Sequence, residues 1–159
     1  MAQMVINEKL VEVLNDLVEI NNDRIAGYEK ASGETKNIDV DLQALFKKMA
    51  DDSRKYKSEL VNEVSRLGGQ PSKGTTTSGK VYRVWMDVKA TFSGKDRQSI
   101  LESCEFGEDA AQKAYNLALE SDAEINVATR QLITSQKSSL KASHDTIKKY
   151  RDAHKAMKN

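Results

Sequence analysis

Apolar residues recur at steps of four and three along most of this chain. In the first segment the stripe runs Leu10, Leu14, Leu17, Asn21, Arg24, Tyr28, with Val13, Val18 and Ile25 beside it. That spacing turns one face of an α-helix toward a core. The pattern fades near "ASGETKN", where Gly33 offers a C-terminal break. A second stripe follows the capping candidates Asp39 and Asp41 and reads Leu42, Phe46, Met49, Ser53, Tyr56, Leu60, Val64, Leu67. "LGGQP" stops it, with glycines free to turn left-handed and a proline that cannot continue a helix. The third reads Leu101, Cys104, Glu108, Ala111, Tyr115, Ala118, with Ser93 as N-cap and Asp96 three residues on. The fourth reads Ile133, Lys137, Leu140, His144, Ile147, Arg151.

Between the second and third stripes, Val81, Val84, Trp85, Val88 and Phe92 pattern a short amphipathic helix within a long connection. The other two connections are short. Two helical hairpins joined by a crossover over residues 68–95 predict an all-α, ferritin-like antiparallel four-helix bundle. The expectation is one domain over residues 1–159, with its core over about 5–152.

Composition removes several function classes. Lys and Arg number 25 against 24 Asp and Glu, so no net field draws in nucleic acid or an anionic membrane. The one cysteine, Cys104, excludes an internal disulfide and reads as a small buried hydrophobe. No apolar run approaches the roughly 20 residues of a membrane span, and no leader pattern opens the chain. A soluble, cytoplasmic protein is expected.

Gly74 to Lys80 spells G-x-x-x-x-G-K, one residue short of a phosphate-binding loop. That loop needs a strand before it and a Ser or Thr after the lysine; here a helical pattern precedes it and Val81 follows. It reads as a glycine-flanked turn whose Thr75, Thr76, Thr77 and Ser78 cap the next helix.

Laid side by side, the stripes are apolar at their ends and polar at mid-height. Asn21, Ser53 with Tyr56, Glu108 and His144 meet at one level of an antiparallel bundle. A buried carboxylate needs partners, and the candidates are His144, Lys141 or Tyr56, with Asn21 and Ser53 completing the network. Ferritin-like carboxylate enzymes place two metals at this level, using a Glu from each of two helices and Glu-x-x-His from the others. Here Asn21 stands for the first Glu, Ser53 and Tyr56 for one pair, and Lys141 and His144 for the other. Glu108 and His144 alone keep ligand chemistry, and a lysine ammonium nearby would repel a divalent ion. His154 reads as solvated, and Glu105 and Asp109 as surface carboxylates.

Three blocks, "LNDLVEINNDRIAGYEKA", "TTTSGKVYRVWMDVKATFSGKDRQSILESCEFGEDAAQKAY" and "SSLKASHDTIKKYRD", resemble a bacterial family of ferritin-like four-helix-bundle proteins of unknown function. The resemblance spans Leu10 to Asp152. It implies a ferritin-like bundle, a bacterial setting linked to stress or stationary phase, and no required di-metal ligand set.

The expectation is therefore a metal-free, non-enzymatic bundle with a structural or interaction role, open to forming a homodimer. No cofactor, nucleic acid or membrane is expected as a partner. The alternatives are an atypical oxidoreductase binding iron, manganese or zinc through Glu108 and His144, and a small-ligand binder using the same polar layer.

Overall fold

The computed structural model describes residues 7–35, 40–74 and 97–158, with side chains up to residue 153 in the last segment. Four α-helices account for most of them: α1 (Glu8–Thr35), α2 (Val40–Arg66), α3 (Arg97–Glu120) and α4 (Val127–Lys158). The described residues contain no strand, and no described helix is long and apolar enough to cross a membrane.

Local chemistry sets the helix ends. Asn7 caps α1: its Oδ1 accepts from Leu10 N at 3.1 Å and its backbone carbonyl accepts from Val11 N at 3.0 Å. Asn126 does the same for α4 through Thr129 N at 2.8 Å and Arg130 N at 2.9 Å. An asparagine at this position satisfies N–H groups that the first helical turn leaves free. At the far end of α2, Gly68 takes φ 85°. Its N–H donates to Ser65 O, and Gly69 N–H donates to Val64 O, both at 3.0 Å. This is a Schellman closure, and glycine is the residue that enters it without strain. Gly69 has a second constraint, because a Cβ there would stand 2.6 Å from Val11 Cγ1. The end of α2 is thereby seated on the start of α1.

The helices form a square. α1 packs on α2 and on α3, and α4 packs on α3 and, more sparsely, on α2. Contacts run antiparallel along both shared faces: Lys9 meets Asp122, Asn21 meets Tyr115 and Arg24 meets Glu108. Likewise Gln136 meets Tyr56 and Thr129 meets Glu63. Helices α2 and α3 consequently run parallel across the diagonal, and the chain between them must travel the length of the bundle. The predicted all-α, antiparallel four-helix bundle with a long crossover is the fold observed.

The core lies in two parts. One gathers Leu10, Leu14, Leu17, Leu60, Val64, Ala111, Tyr115, Ile133 and Leu140; the other gathers Tyr28, Phe46, Met49, Ile100, Leu101, Cys104 and Ile147. Removing these apolar surfaces from water is the main drive for the helices to associate. The predicted stripes of α1 and α3 are buried throughout, and that of α2 from Leu42 to Val64.

Helix α1 ends at Thr35, inside the "ASGETKN" stretch expected to close it; it passes through Gly33, because a glycine inside a helix only weakens it. The α4 expectation needs correction. On α4 the inward stripe is Thr129, Ile133, Gln136, Leu140, Ser143, Ile147. Steps of three and of four from Ile133 both fit a 3.6-residue period, and the polar choices Lys137, His144 and Arg151 fall one residue off the inward line. The crossover helix, the caps Asp39, Ser93 and Asp96, and all but Gly74 of the phosphate-loop lookalike lie outside the described residues.

Candidate functional site

The mid-height polar layer exists, and it separates the two apolar parts. Its centre is an ion pair: Arg24 Nη2 lies 2.5 Å from Glu108 Oε2, with both side chains fully excluded from solvent. Arg24 Nη1 also donates to Ser53 Oγ, and the Tyr28 hydroxyl donates to the same Glu108 oxygen. The Arg24 guanidinium stands 5.2 Å from the Tyr28 ring centroid, and that ring packs on Phe46 at 5.8 Å. A charge-assisted fork of this kind offsets part of the desolvation cost of both ions.

One turn away, a chain of amide and phenol groups crosses the bundle and ends on a carboxylate. Asn21 Nδ2 donates to Tyr115 Oη at 2.9 Å, and Tyr115 donates to Gln136 Oε1 at 2.7 Å. Gln136 Nε2 then donates to Tyr56 O at 3.1 Å and to Glu59 Oε1 at 2.9 Å. The layer thus draws a residue from every helix. Among the described residues, Glu108 Oε1, Asn21 Oδ1 and Arg24 Nε have no hydrogen-bond partner.

Burial and the Arg24–Glu108 pair shift several titrating groups in and beside the layer. Burial alone would loosen the Arg24 proton, but Glu108 beside it outweighs this and holds Arg24 above the ordinary guanidinium range. Burial and then the Glu108 carboxylate push the Tyr28 phenol well up. Burial also raises Tyr115, and it raises the Cys104 thiol, with Glu108 adding to the effect. None of these groups is poised as a base or nucleophile near neutral pH.

His144 and Lys141, expected to face Glu108, belong elsewhere. Lys141 is a solvent-facing cation bonded to Asp145 at 2.9 Å. His144 is half-buried at the α3–α4 groove; its Nε2 meets Asp109 Oδ1 at 2.6 Å and its Nδ1 meets Asp145 Oδ1 at 3.1 Å. No hydrogen bond or ion pair joins His144 to Glu108. Burial alone would lower the His144 pKa, but its bonds to Asp145 and Asp109 prevail and hold it above the ordinary value. Glu105 stands one turn before Asp109 and pairs with Arg151, which also binds Asp152 at 2.7 Å. Asn21, Ser53, Tyr56 and Glu108 are buried as expected, although the Tyr56 phenol associates with Ser139 and not with Glu108.

Residues 9–121 match the family model described as a domain of unknown function, DUF2383. The chain belongs to the DUF2383 family. The DUF2383 match takes in all of α1 but Glu8, and the whole of α2 and α3, and with them Arg24, Tyr28, Ser53, Glu108 and Tyr115; His144 and Gln136 lie beyond it. No curated protein matches the chain.

The partner that sequence reasoning missed is Arg24. It stood on the first inward stripe, where a permanently charged guanidinium requires a carboxylate. Glu108 is the one acid on any of the four predicted stripes, so the pair was available from the pattern alone.

Proposed function

We propose that this chain is a non-enzymatic, ferritin-like bundle whose mid-height layer is a structural lock, and that it acts by presenting a helix face to another protein chain. The observation that carries this reading is Arg24. Its guanidinium fills the space between Glu108 and Ser53 where ferritin-like carboxylate enzymes hold metal. A metal at Glu108 would have to displace a buried cation that has no second carboxylate among its bonds.

A candidate outer face supports the interaction role. Phe106, Ala110 and Leu117 fall along one line of α3, and both Phe106 and Leu117 are exposed. A second copy of the chain is the simplest partner for such a face. The proposed cytoplasmic setting rests on the single cysteine and the lack of any long apolar run, and the proposed stress association on the family resemblance.

Elemental analysis of tag-free protein from cells supplied with iron, manganese and zinc tests the lock. Core metal is expected to be well below one ion per ten chains. Near-stoichiometric metal that survives His144→Ala and disappears with Glu108→Gln would overturn the reading and make redox activity the next assay. Sedimentation velocity of Phe106→Lys/Leu117→Lys against the parent tests the face; a dimer in the parent and a monomer in the variant are expected. An unchanged distribution removes that face from the proposal.

A further inference from the structure

Outside the lock, one group of side chains has donor chemistry directed at a common point. Glu105 and Asp109 are four residues apart on α3, so they rise from one face of that helix. His144 reaches them from α4, and one ligand atom from each of the three lies within 4.8 Å of the others. We propose that Glu105, Asp109 and His144 form a surface site for a zinc-class divalent ion, clasping α3 to α4.

The geometry suits such an ion in three respects. First, His144 offers Nε2 to the carboxylates while Nδ1 faces Asp145 at 3.1 Å. A carboxylate behind the ring fixes the tautomer that leaves Nε2 free to coordinate, a common arrangement around metal-bound histidines. Second, one imidazole and two carboxylates, with water in the remaining position, make a three-ligand set that zinc accepts. Bond lengths of about 2.0–2.2 Å hold such donors roughly 3–3.5 Å apart; Asp109 Oδ1, now 2.6 Å from Nε2, has to draw back to admit an ion, and its side chain, 61% exposed, is free to do so. Third, Glu105 can be released. Its present partner Arg151 already bonds Asp152 through Nε and Nη2, so the guanidinium keeps a carboxylate when Glu105 turns to a metal.

This site is separate from the lock. Glu108 faces α1, and the proposed ligands line the α3–α4 groove. A metal there would bridge the two helices that the short 121–126 connection already joins, stabilising the hairpin in proportion to its occupancy.

The test is isothermal titration of chelator-stripped, tag-free protein with Zn²⁺, alongside His144→Ala, Asp109→Asn and Glu105→Gln. The parent is expected to bind one ion per chain with micromolar affinity. His144→Ala and Asp109→Asn should each weaken it more than tenfold, and Glu105→Gln several-fold. Asp51→Asn, an exposed carboxylate on α2 paired with Arg54, should leave it unchanged. The ¹⁵N resonance of His144 Nε2 should move on adding Zn²⁺, a readout that needs no variant. Parent affinity weaker than 1 mM overturns the proposal, as does binding that His144→Ala and Asp109→Asn leave intact or an unmoved Nε2 resonance.

Discussion

Glu108 and Asp109 are adjacent on α3, and each pairs with a basic side chain from another helix. Glu108 meets Arg24 with both side chains sealed from water; Asp109 meets His144 with its carboxylate largely exposed. The hundred degrees that one residue turns on a helix separates a carboxylate bonded in the core from one bonded at the surface. Inside, removing either partner strands a desolvated charge. Outside, water and salt replace whatever is lost.

The sharpest way to break this comparison is to delete one buried partner. Arg24→Met leaves Glu108 unpaired and is expected to cost roughly 3–5 kcal/mol in urea denaturation. Combining it with Glu108→Leu should restore most of that loss, because a well-packed apolar pair replaces two desolvated ions. A single variant that cost under about 1 kcal/mol would make the lock no stronger than a surface pair.

Tyr28→Phe probes the same carboxylate more gently. Loss of one hydrogen bond to a charged group is expected to cost about 1.5–3 kcal/mol. It should also change the alkaline limb of the stability curve. The folded-state pKa of Tyr28 is raised, so its contribution is complete below the unfolded value of about 10 and is lost as pH climbs through the folded value. Stability should fall above pH ~10 in the parent and fall less in Tyr28→Phe. Equal slopes would remove Tyr28 from the linkage.

Cys104 gives a kinetic version of the contrast. Its thiol is buried and its pKa is pushed up, so thiol reagents at pH 8 should label it only as fast as the bundle opens. Immediate labelling of the native protein would mean that the apolar half around Cys104 is open.

The smallest effect belongs to the surface. Without metal, Asp109→Asn should change stability by about 0–1 kcal/mol, and less in high salt. A larger, salt-insensitive loss would move the His144 cluster into the same class as the lock.

Much of this was legible in the sequence. The stripes of α1, α2 and α3 were read at the positions that are buried, because most of their steps fall on Leu, Phe, Met, Tyr or Ala. The polar layer at Asn21, Ser53 and Glu108 was legible for the same reason, as interruptions of a strong pattern. On the inward line of α4 only Ile133, Leu140 and Ile147 are apolar, and polar residues on both sides of that line left its intermediate positions undetermined. Gln136 and Ser143 are inward, and Lys137 and His144 sit beside them. That one-residue ambiguity moved His144 into the core and supplied Glu108 with the wrong partners. The His144 cluster itself joins residues 35 positions apart, and its groove exists only once α3 and α4 have docked.

The placement of the lock also constrains how copies of this chain can mispair. The α1–α2 hairpin carries the guanidinium of Arg24, and the α3–α4 hairpin carries the carboxylate of Glu108. Two first hairpins pressed together would bury cation against cation, and two second hairpins would bury anion against anion. Each half therefore rejects its own kind and accepts the other. An exchange of halves between two molecules keeps these charges neutralised when an Arg24 hairpin meets a Glu108 hairpin, which rebuilds the same bundle.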